Sequence, residues 1–215
     1  MGILYIDSSS KKIEFGYSDG PDNLLKEQLA PENNADTLVY FIREFFKHHK
    51  LSFDQIKYVS LSNGPGSFTG LRISSAIAKG MCYANQSKLI ELSTLDVIAN
   101  KKKSSNKVVP LIFSNTKTNE FYYSEYLNEN GKLERSTDYK IDLLENIIND
   151  DAEYLINEKL PVSMPEEFKN EITDVSETSN IDSMHELTVD YIEKNNFGDY
   201  RTSEPFYMKE FVPKN

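Results

Sequence analysis

The sequence predicts an α/β protein built from two successive units of strands and helices, the second a shortened copy of the first. Three observations favour this fold class. The strand–turn–strand pattern of residues 3–18 returns at residues 111–126. A glycine-rich link at residues 63–72 joins an apolar run to a long helical pattern, and the second half has no counterpart of it. A polar, basic segment at residues 101–107 separates the two halves.

The first half opens as a β-meander. Residues 3–7 form an apolar run, residues 13–17 alternate apolar and polar side chains, and a third strand follows the turn at Gly20-Pro21. The spacing of apolar residues then predicts helices and strands in alternation. The helices are expected at 35–49, 68–85 and 94–100, and the strands at 56–61 and 88–92.

The second half repeats the opening pattern. Strands are expected at 108–113, at 121–126 and near Leu133 after the Asn130-Gly131 hairpin signal, followed by a helix at 142–148, a strand at 153–156 and a helix at 181–194. We therefore predict a first lobe at residues 1–102 and a reduced second lobe at 103–215. The tail, residues 200–215, belongs to the second lobe or packs back on the first. Two such units, with their hairpin turns facing each other, describe the two-lobed actin-like ATPase (ASKHA, RNase H-like) fold.

Charge and composition narrow the classes of function. The formal net charge is −10, and residues 141–200 hold 16 acidic residues against 3 basic ones, so the rest of the chain is slightly basic. An acidic segment repels nucleic acid, and we interpret it as a solvated face, with a basic partner as the alternative. The single cysteine excludes a disulfide framework. Residues 1–7 lack the basic start and long apolar core of a signal peptide, and no stretch reaches the length of a membrane span. The predicted location is the cytoplasm.

The glycine link is the most informative motif of the chain. Its backbone N–H groups are expected to converge on a guest, which is either a phosphate or the backbone of another protein. The spacing matches neither standard phosphate motif, because the Gly-Lys-Ser/Thr ending is absent and Gly66 and Gly70 are four positions apart. The candidate residues are Gly64, Pro65, Gly66, Ser67, Thr69, Gly70 and Arg72.

No catalytic residue and no metal ligand is predicted. Asp7 ends the first strand and is followed by Ser8, Ser9 and Ser10 rather than by the glycines that admit a phosphate, and the second turn, residues 114–117, has no carboxylate. Two interpretations of Asp7–Ser10 stand: a remnant of a nucleotide site, or the polar end of a strand. His48 and His49 are adjacent on a helix and point in different directions, which makes them poor co-ligands.

Two helices are expected to bind a partner. The helix at 35–49 is apolar over more than one face, and the helix at 68–85 carries small residues that let another helix approach closely. The predicted interface comprises Leu38, Phe41, Ile42 and Phe45 on the first helix, with Leu71, Ser74, Ser75, Ala78, Met81 and Cys82 on the second.

Four stretches resemble the signature sequences of the TsaB (YeaZ) family. They are residues 3–9, 64–73, 120–126 and 204–209, and the match at the glycine link is the most specific. The resemblance implies an inactive relative of TsaD, the subunit that carries the metal and the catalytic site. TsaD, TsaB and the ATPase TsaE together transfer a threonylcarbamoyl group to the adenosine next to the anticodon of tRNAs that read codons starting with adenine. It also implies that the two helices around the glycine link bind TsaD, or a second copy of the chain when TsaD is absent.

The resulting hypothesis is a non-catalytic scaffold that binds TsaD, forms a ternary complex with TsaE and meets tRNA only through that complex. No cofactor is required, although an adenine nucleotide held weakly at a subunit interface is left open. One alternative is an enzyme, either a glycoprotease-like peptidase or a weak ATPase. The other is an RNA-binding module that uses Lys101–Lys107.

Overall fold

The computed structural model describes residues 1–30, 33, 35–115, 117–148, 151–160 and 164–207. The chain divides into two compact units. The first holds residues 1–97 and 179–205, and the second holds residues 98–178 with the described residues after 205. Within the described residues, no helix has the length and apolar character that crossing a membrane requires.

The described residues form twelve strands and six α-helices. The strands are β1 (Gly2–Asp7), β2 (Glu14–Gly20), β3 (Asn23–Gln28), β4 (Ile56–Ser62), β5 (Lys88–Leu92), β6 (Lys107–Asn115), β7 (Glu120–Tyr123), β8 (Tyr126–Glu129), β9 (Lys132–Arg135), β10 (Lys140–Leu143), β11 (Glu153–Ile156) and β12 (Ile172–Asp174). The helices are α1 (Leu38–His48), α2 (Phe68–Asn85), α3 (Thr94–Asn100), α4 (Leu144–Ile147), α5 (Glu166–Glu171) and α6 (Asn180–Glu193).

The first unit is a five-stranded sheet in the order β3-β2-β1-β4-β5. The meander β1–β2–β3 is antiparallel, whereas β4 and β5 run parallel to β1. Successive residues of β1 alternate between the two faces. Leu4 and Ile6 join the core under α1 and α2, whereas Ile3 and Tyr5 join a second core that includes Ile181 of α6.

The second unit repeats this topology. Its sheet has the order β10-β7-β6-β11-β12, with β6–β7 and β7–β10 antiparallel and β6–β11 and β11–β12 parallel, so β6 corresponds to β1. A hairpin, β8–β9, is added beside the start of β6. The predicted duplication is therefore present, and the second copy is shortened because α4 has 4 residues and α5 has 6, against 11 in α1 and 18 in α2.

The chain returns to the first unit after completing the second. The prediction kept residues 103–199 in the second lobe and left the tail, residues 200–215, to either lobe, but α6 packs on the sheet of the first unit and residues 179–205 belong there. The start of the predicted tail is part of the same unit: Ser203 Oγ donates to Glu91 Oε1 at 2.6 Å, and Asn63 Nδ2 donates to the Glu204 carbonyl at 3.0 Å. Residues 208–215 of that tail lie outside the described residues.

Candidate functional site

The glycine link lies between the carboxyl ends of β4 and β5 and the start of α2. The Asn63 N–H donates to the Leu92 carbonyl at 2.8 Å, and the Thr94 N–H donates to the Gly64 carbonyl at 2.9 Å. Gly64 has a φ of +112°, which favours glycine because a Cβ atom is strained there. These contacts fix the link against the beginning of α3, and Gly64 and Pro65 are both buried.

The glycines of the link make room for the chain's own β1–β2 turn. The Ser67 N–H donates to the Ser9 carbonyl at 2.6 Å, and Ser8 Oγ donates to the Gly70 carbonyl at 2.8 Å. A Cβ atom at Gly66 would overlap the Ser9 carbonyl oxygen, and one at Gly70 would overlap the Ser8 carbonyl oxygen. This corrects the sequence-based expectation of a phosphate or a foreign backbone as the guest: the first unit packs its own turn there.

Helix α2 begins directly after this contact. Ser67 is its N-cap and accepts a hydrogen bond from the Gly70 N–H at 3.3 Å. Arg72 lies over the ring of Phe68 at 3.9 Å from the ring centroid. Thr69 and Arg72 are exposed, so the first turn of α2 presents a hydroxyl and a guanidinium at the surface.

Asp7 is completely buried and engaged by the chain itself. Its Oδ1 atom accepts the Ser9 N–H at 2.9 Å, and its Oδ2 atom accepts a hydrogen bond from Nδ2 of Asn180. The neighbouring Ser10 hydroxyl bonds the backbone of Lys12. Residues 7–10 therefore do not present a carboxylate to a hydrated metal ion, and the described residues contain no cluster of three His, Cys, Asp or Glu side chains suited to a metal. Thr116 of the second turn lies outside the described residues.

Glu14 is a polar residue of this site that the sequence analysis missed. It is the cross-strand partner of Asp7, is 3% exposed, and accepts the Asn180 backbone N–H at 2.9 Å. Its other oxygen lies 3.6 Å from Lys12 Nζ. Burial raises the pKa of Glu14, with a further contribution from the negative charge of Asp7. The sequence signal that could have identified Glu14 is its position between the apolar residues Ile13 and Phe15.

The raised pKa of Glu14 predicts a pH-dependent contribution to stability. Because the folded state holds this proton more tightly than the unfolded state, the contribution of Glu14 is most favourable at low pH and is lost as pH rises through the folded-state pKa. We expect Glu14→Gln to gain stability relative to wild type as pH rises from about 4.5 toward neutrality. Urea unfolding across that range measures the difference, with Glu27→Gln on exposed β3 as the matched control. A pH-independent difference for Glu14→Gln would contradict the assignment.

Most of the predicted interface residues lie inside the chain's own core. Leu38, Ile42 and Phe45 of α1 are at most 3% exposed, because this stripe of α1 faces the sheet of the first unit. The same holds for five residues of α2: Leu71, Ser74, Ser75, Ala78 and Cys82. The small side chains on this face let α2 lie close to its own unit rather than to a partner. Only Phe41 and Met81 of the predicted set are partly exposed.

The outer faces of α1 and α2 carry a different set of apolar residues. Val39 and Tyr40 of α1 are 53% and 54% exposed, and Tyr83 of α2 is 76% exposed. Along α2, exposed residues follow helical spacing from Thr69 through Ala76 and Gly80 to Tyr83. We call Val39, Tyr40, Ala76, Gly80 and Tyr83 the α1/α2 outer surface.

Gly80 is the informative member of this surface. A Cβ atom there would meet nothing within 4 Å, so no contact within the described chain requires a glycine. Glycine inside a helix costs about 1 kcal/mol relative to alanine. Gly80 therefore leaves open space on the outer side of α2, at a cost in helix propensity.

Cys82 lies in the environment of a core residue. The thiol is buried in the core under α1 and α2, and burial raises its pKa to about 12. Because the thiolate is the reactive form, we expect native protein to react with Ellman's reagent at least about 100-fold more slowly than protein unfolded in urea. Reaction at comparable rates in both states would show that the thiol is accessible.

The basic segment is largely used within the second unit. Lys101 Nζ donates to Asn157 Oδ1 at 2.6 Å and to the Thr178 carbonyl at 2.9 Å. Lys102 pairs with Glu153 at 3.1 Å, and Lys107 pairs with Glu125 at 2.9 Å. Two of the four lysines of the segment are thus paired with carboxylates, which lowers the positive charge that an RNA-binding strip would need.

Comparison with known proteins gives a consistent set of relatives. The family model described as "TsaD: tRNA N6-adenosine threonylcarbamoyltransferase" matches residues 28–189. The tRNA threonylcarbamoyladenosine biosynthesis protein TsaB of Buchnera aphidicola (from Schizaphis graminum) is 34% identical over 111 residues, which cover 51% of this chain and 52% of the relative. TsaB of Escherichia coli K12 is 29% identical over 136 residues, covering 61% and 58%. The matches thus span about half to three fifths of the curated relatives.

A solved structure establishes the fold. YeaZ from Pseudomonas aeruginosa superimposes with a TM-score of 0.75 at 16% sequence identity, covering 96% of this chain and 99% of that one. A second P. aeruginosa structure, described as similar to peptidase YEAZ, gives a TM-score of 0.73. Together with the repeated strand order, these likenesses confirm the predicted actin-like fold class.

Proposed function

This chain belongs to the TsaD family of tRNA N6-adenosine threonylcarbamoyltransferases, and from that premise we propose that it is a non-catalytic partner subunit in tRNA threonylcarbamoyladenosine synthesis. Its curated relatives carry the name TsaB, which supports this pathway. The proposed partner is TsaD, with TsaE joining in a ternary complex and a second copy of this chain taking the place of TsaD when TsaD is absent. Contact with tRNA occurs only through the complex, and the chain requires no cofactor.

The observation that carries the proposal is the α1/α2 outer surface. Exposed Tyr40 and Tyr83 are of a residue type that is enriched at binding hot spots, and exposed Val39 adds apolar area. Ala76 and Gly80, one helical turn apart on α2, leave space for another helix to approach. When a partner removes these side chains from water, their burial contributes favourably to the free energy of binding.

The non-catalytic role is supported by the state of Asp7. Both of its carboxylate oxygens accept hydrogen bonds from the chain itself, and the Ser8–Ser9 turn fills the glycine link. A phosphate-transfer or hydrolytic site needs groups that remain available to substrate or metal.

The direct test is complex formation with TsaD. Size-exclusion chromatography with light scattering should show a stable heterodimer when the two proteins are mixed at micromolar concentrations. Tyr83→Ser should weaken the complex, whereas Leu127→Ser should not, because Leu127 is a comparably apolar residue, 40% exposed, on β8 of the second unit. Absence of a complex with the wild-type chain would overturn the proposal.

The competing proposal is that the chain is itself an enzyme, and the family's description favours it because it names a transferase. Incubation of the purified chain with ATP and magnesium tests the ATPase form of this alternative. Turnover that persists through purification and disappears in Asp7→Ala would establish the ATPase alternative. We expect no turnover in either protein.

A further inference from the structure

Helix α6 begins at a buried polar contact that joins distant parts of the sequence. Asn180, the first residue of α6, is completely buried. Its backbone N–H donates to Glu14 Oε2 at 2.9 Å, and its side-chain amide donates to Asp7 Oδ2. Asp7 and Glu14 lie opposite each other on β1 and β2, so one residue of α6 serves both carboxylates.

The geometry supplies hydrogen-bond donors to both carboxyl groups. The N-terminus of a helix carries partial positive charge and unpaired N–H groups, which stabilise carboxylates placed beside it. Ser179 caps α6 by accepting the Ile181 N–H at 3.2 Å, which leaves the Asn180 N–H for Glu14. The other Asp7 oxygen accepts the Ser9 N–H. The donors for these carboxylates therefore come from the chain itself.

The arrangement also leaves polar atoms unsatisfied, which marks it as more than a simple cap. Asn180 Oδ1 and Ser9 Oγ are buried and have no hydrogen-bond partner among the described residues. Buried polar atoms without partners are uncommon and disfavour the state that contains them. The Nδ2 atom of Asn180 thus donates to Asp7, whereas the Oδ1 atom of the same side chain has no partner among the described residues.

We propose that Asn180 and the first turn of α6 form an internal plug, which occupies the acceptor atoms of Asp7 and Glu14. A hydrated divalent cation, alone or carried by a nucleotide, reaches Asp7 only when the Asn180 side-chain amide is no longer bonded to it, which in the wild-type chain requires this turn to detach. The plug gives a physical reason why Asp7 would bind no cation. That reason lies in α6, far along the chain from the β1–β2 turn. The inference does not depend on which partner binds the α1/α2 outer surface.

The test uses Mn²⁺ as the probe and the full chain labelled with ¹⁵N. Bound Mn²⁺ broadens the amide signals of nearby residues, so Ser8, Ser9 and Ile181 report on the site. We expect no selective broadening of these signals in wild type at millimolar Mn²⁺. Asn180→Ala removes the side-chain donor and should produce broadening confined to this region. Asn196→Ala, an exposed asparagine beyond the end of α6, is the matched control and should behave as wild type.

A second variant measures whether this place in the fold accepts a cation once the amide donor is gone. Asn180→Asp keeps the backbone N–H to Glu14 but places a third carboxylate beside Asp7, so cations should now be bound. We expect Mn²⁺ to raise the midpoint of thermal unfolding of Asn180→Asp by several degrees and to leave that of wild type unchanged. If both variants fold and neither binds Mn²⁺, Asn180 is only a structural contact and the proposal fails.

Hydrogen exchange of the wild-type chain keeps the test decisive if neither variant folds. Absence of Mn²⁺ broadening at Ser9, or broadening accompanied by loss of amide protection over the first turn of α6, supports mutual exclusion. Broadening at Ser9 with that turn still fully protected would show that cation and helix are accommodated together, which overturns the plug.

Discussion

Gly70→Ala should destabilise the chain by at least about 3 kcal/mol, although it adds a single methyl group to a helix. The added Cβ would overlap the carbonyl oxygen of Ser8, a backbone atom fixed by β1 and by the hydrogen bond of the Ser8 side chain to the Gly70 carbonyl. The turn between β1 and β2 would have to move away from α2, and the contacts of Asp7 and Ser9 would move with it. Urea unfolding followed by circular dichroism measures the loss.

The matched control for this prediction lies on the same helix. Gly80→Ala makes the same chemical change where the new Cβ meets open space. We expect it to stabilise the isolated chain by about 0.5–1 kcal/mol, because alanine loses less backbone entropy than glycine and is the better helix former. Opposite signs for the two substitutions would locate the role of Gly70 in its contact with Ser8. Equal effects would show that helix propensity alone decides both, and the assignment would be wrong.

Gly80→Arg should reduce the affinity for TsaD by roughly 100-fold while leaving the fold of the isolated chain intact, since an arginine is an acceptable residue on an exposed helix face. The expected loss arises because a long charged side chain replaces the space that a partner helix needs, and its charge must be removed from water on binding. Titration calorimetry against TsaD measures the affinity, and the unfolding curve of the variant alone confirms that it folds.

Gly20→Arg is the control for the binding experiment. Gly20 ends β2, and a side chain there would also extend into open space, so the variant carries the same chemical change away from α2. We expect its affinity for TsaD to equal that of wild type. If Gly80→Arg binds as tightly as Gly20→Arg, the partner does not use the α1/α2 outer surface. Partner binding would then have to be sought elsewhere in the first unit or in the second.

The sequence predicted the first unit well where several local signals agreed. For α2, the glycine link and the long helical pattern that follows it both point to one helix, and the structure has it at Phe68–Asn85. Strand β5 and helix α3 were predicted with their observed bounds for the same reason. The repeated unit could also be predicted, because the strand–turn–strand pattern is encoded in short segments of each half.

The side of each helix that meets a partner could not be predicted in the same way. α1 has apolar residues at Leu38, Ile42, Phe45 and Phe46 but also at Val39 and Phe41, and periodicity alone does not say which stripe the sheet covers. For α2, the prediction selected the small residues Ser74, Ser75 and Ala78, which serve packing within the chain. Ala76 and Gly80 are small residues of the same helix that are exposed, and no local signal in the sequence distinguishes them from the buried small residues.

Long-range pairing accounts for the remaining differences. Strand β12 has 3 residues in an acidic segment, and it is a strand because it pairs with β11, which no local pattern reveals. The helix predicted at 142–148 is shorter in the structure, because residues 140–143 pair with β7 and form strand β10. Only Leu144–Ile147 remain helical, as α4. The contacts of Asp7 and Glu14 with Asn180 join residues more than 160 positions apart.

The return of the chain to its first unit has a consequence for biosynthesis. The ribosome releases residues 1–97 well before residues 179–205, yet one face of the β1–β4–β5 sheet is covered by Ile181 and Met184 of α6. Ile3, Tyr5, Ile90 and Leu92 therefore lack this cover until residues 179–205 have been synthesised. A nascent chain stalled before Ser179 presents an apolar sheet surface to chaperones and proteases.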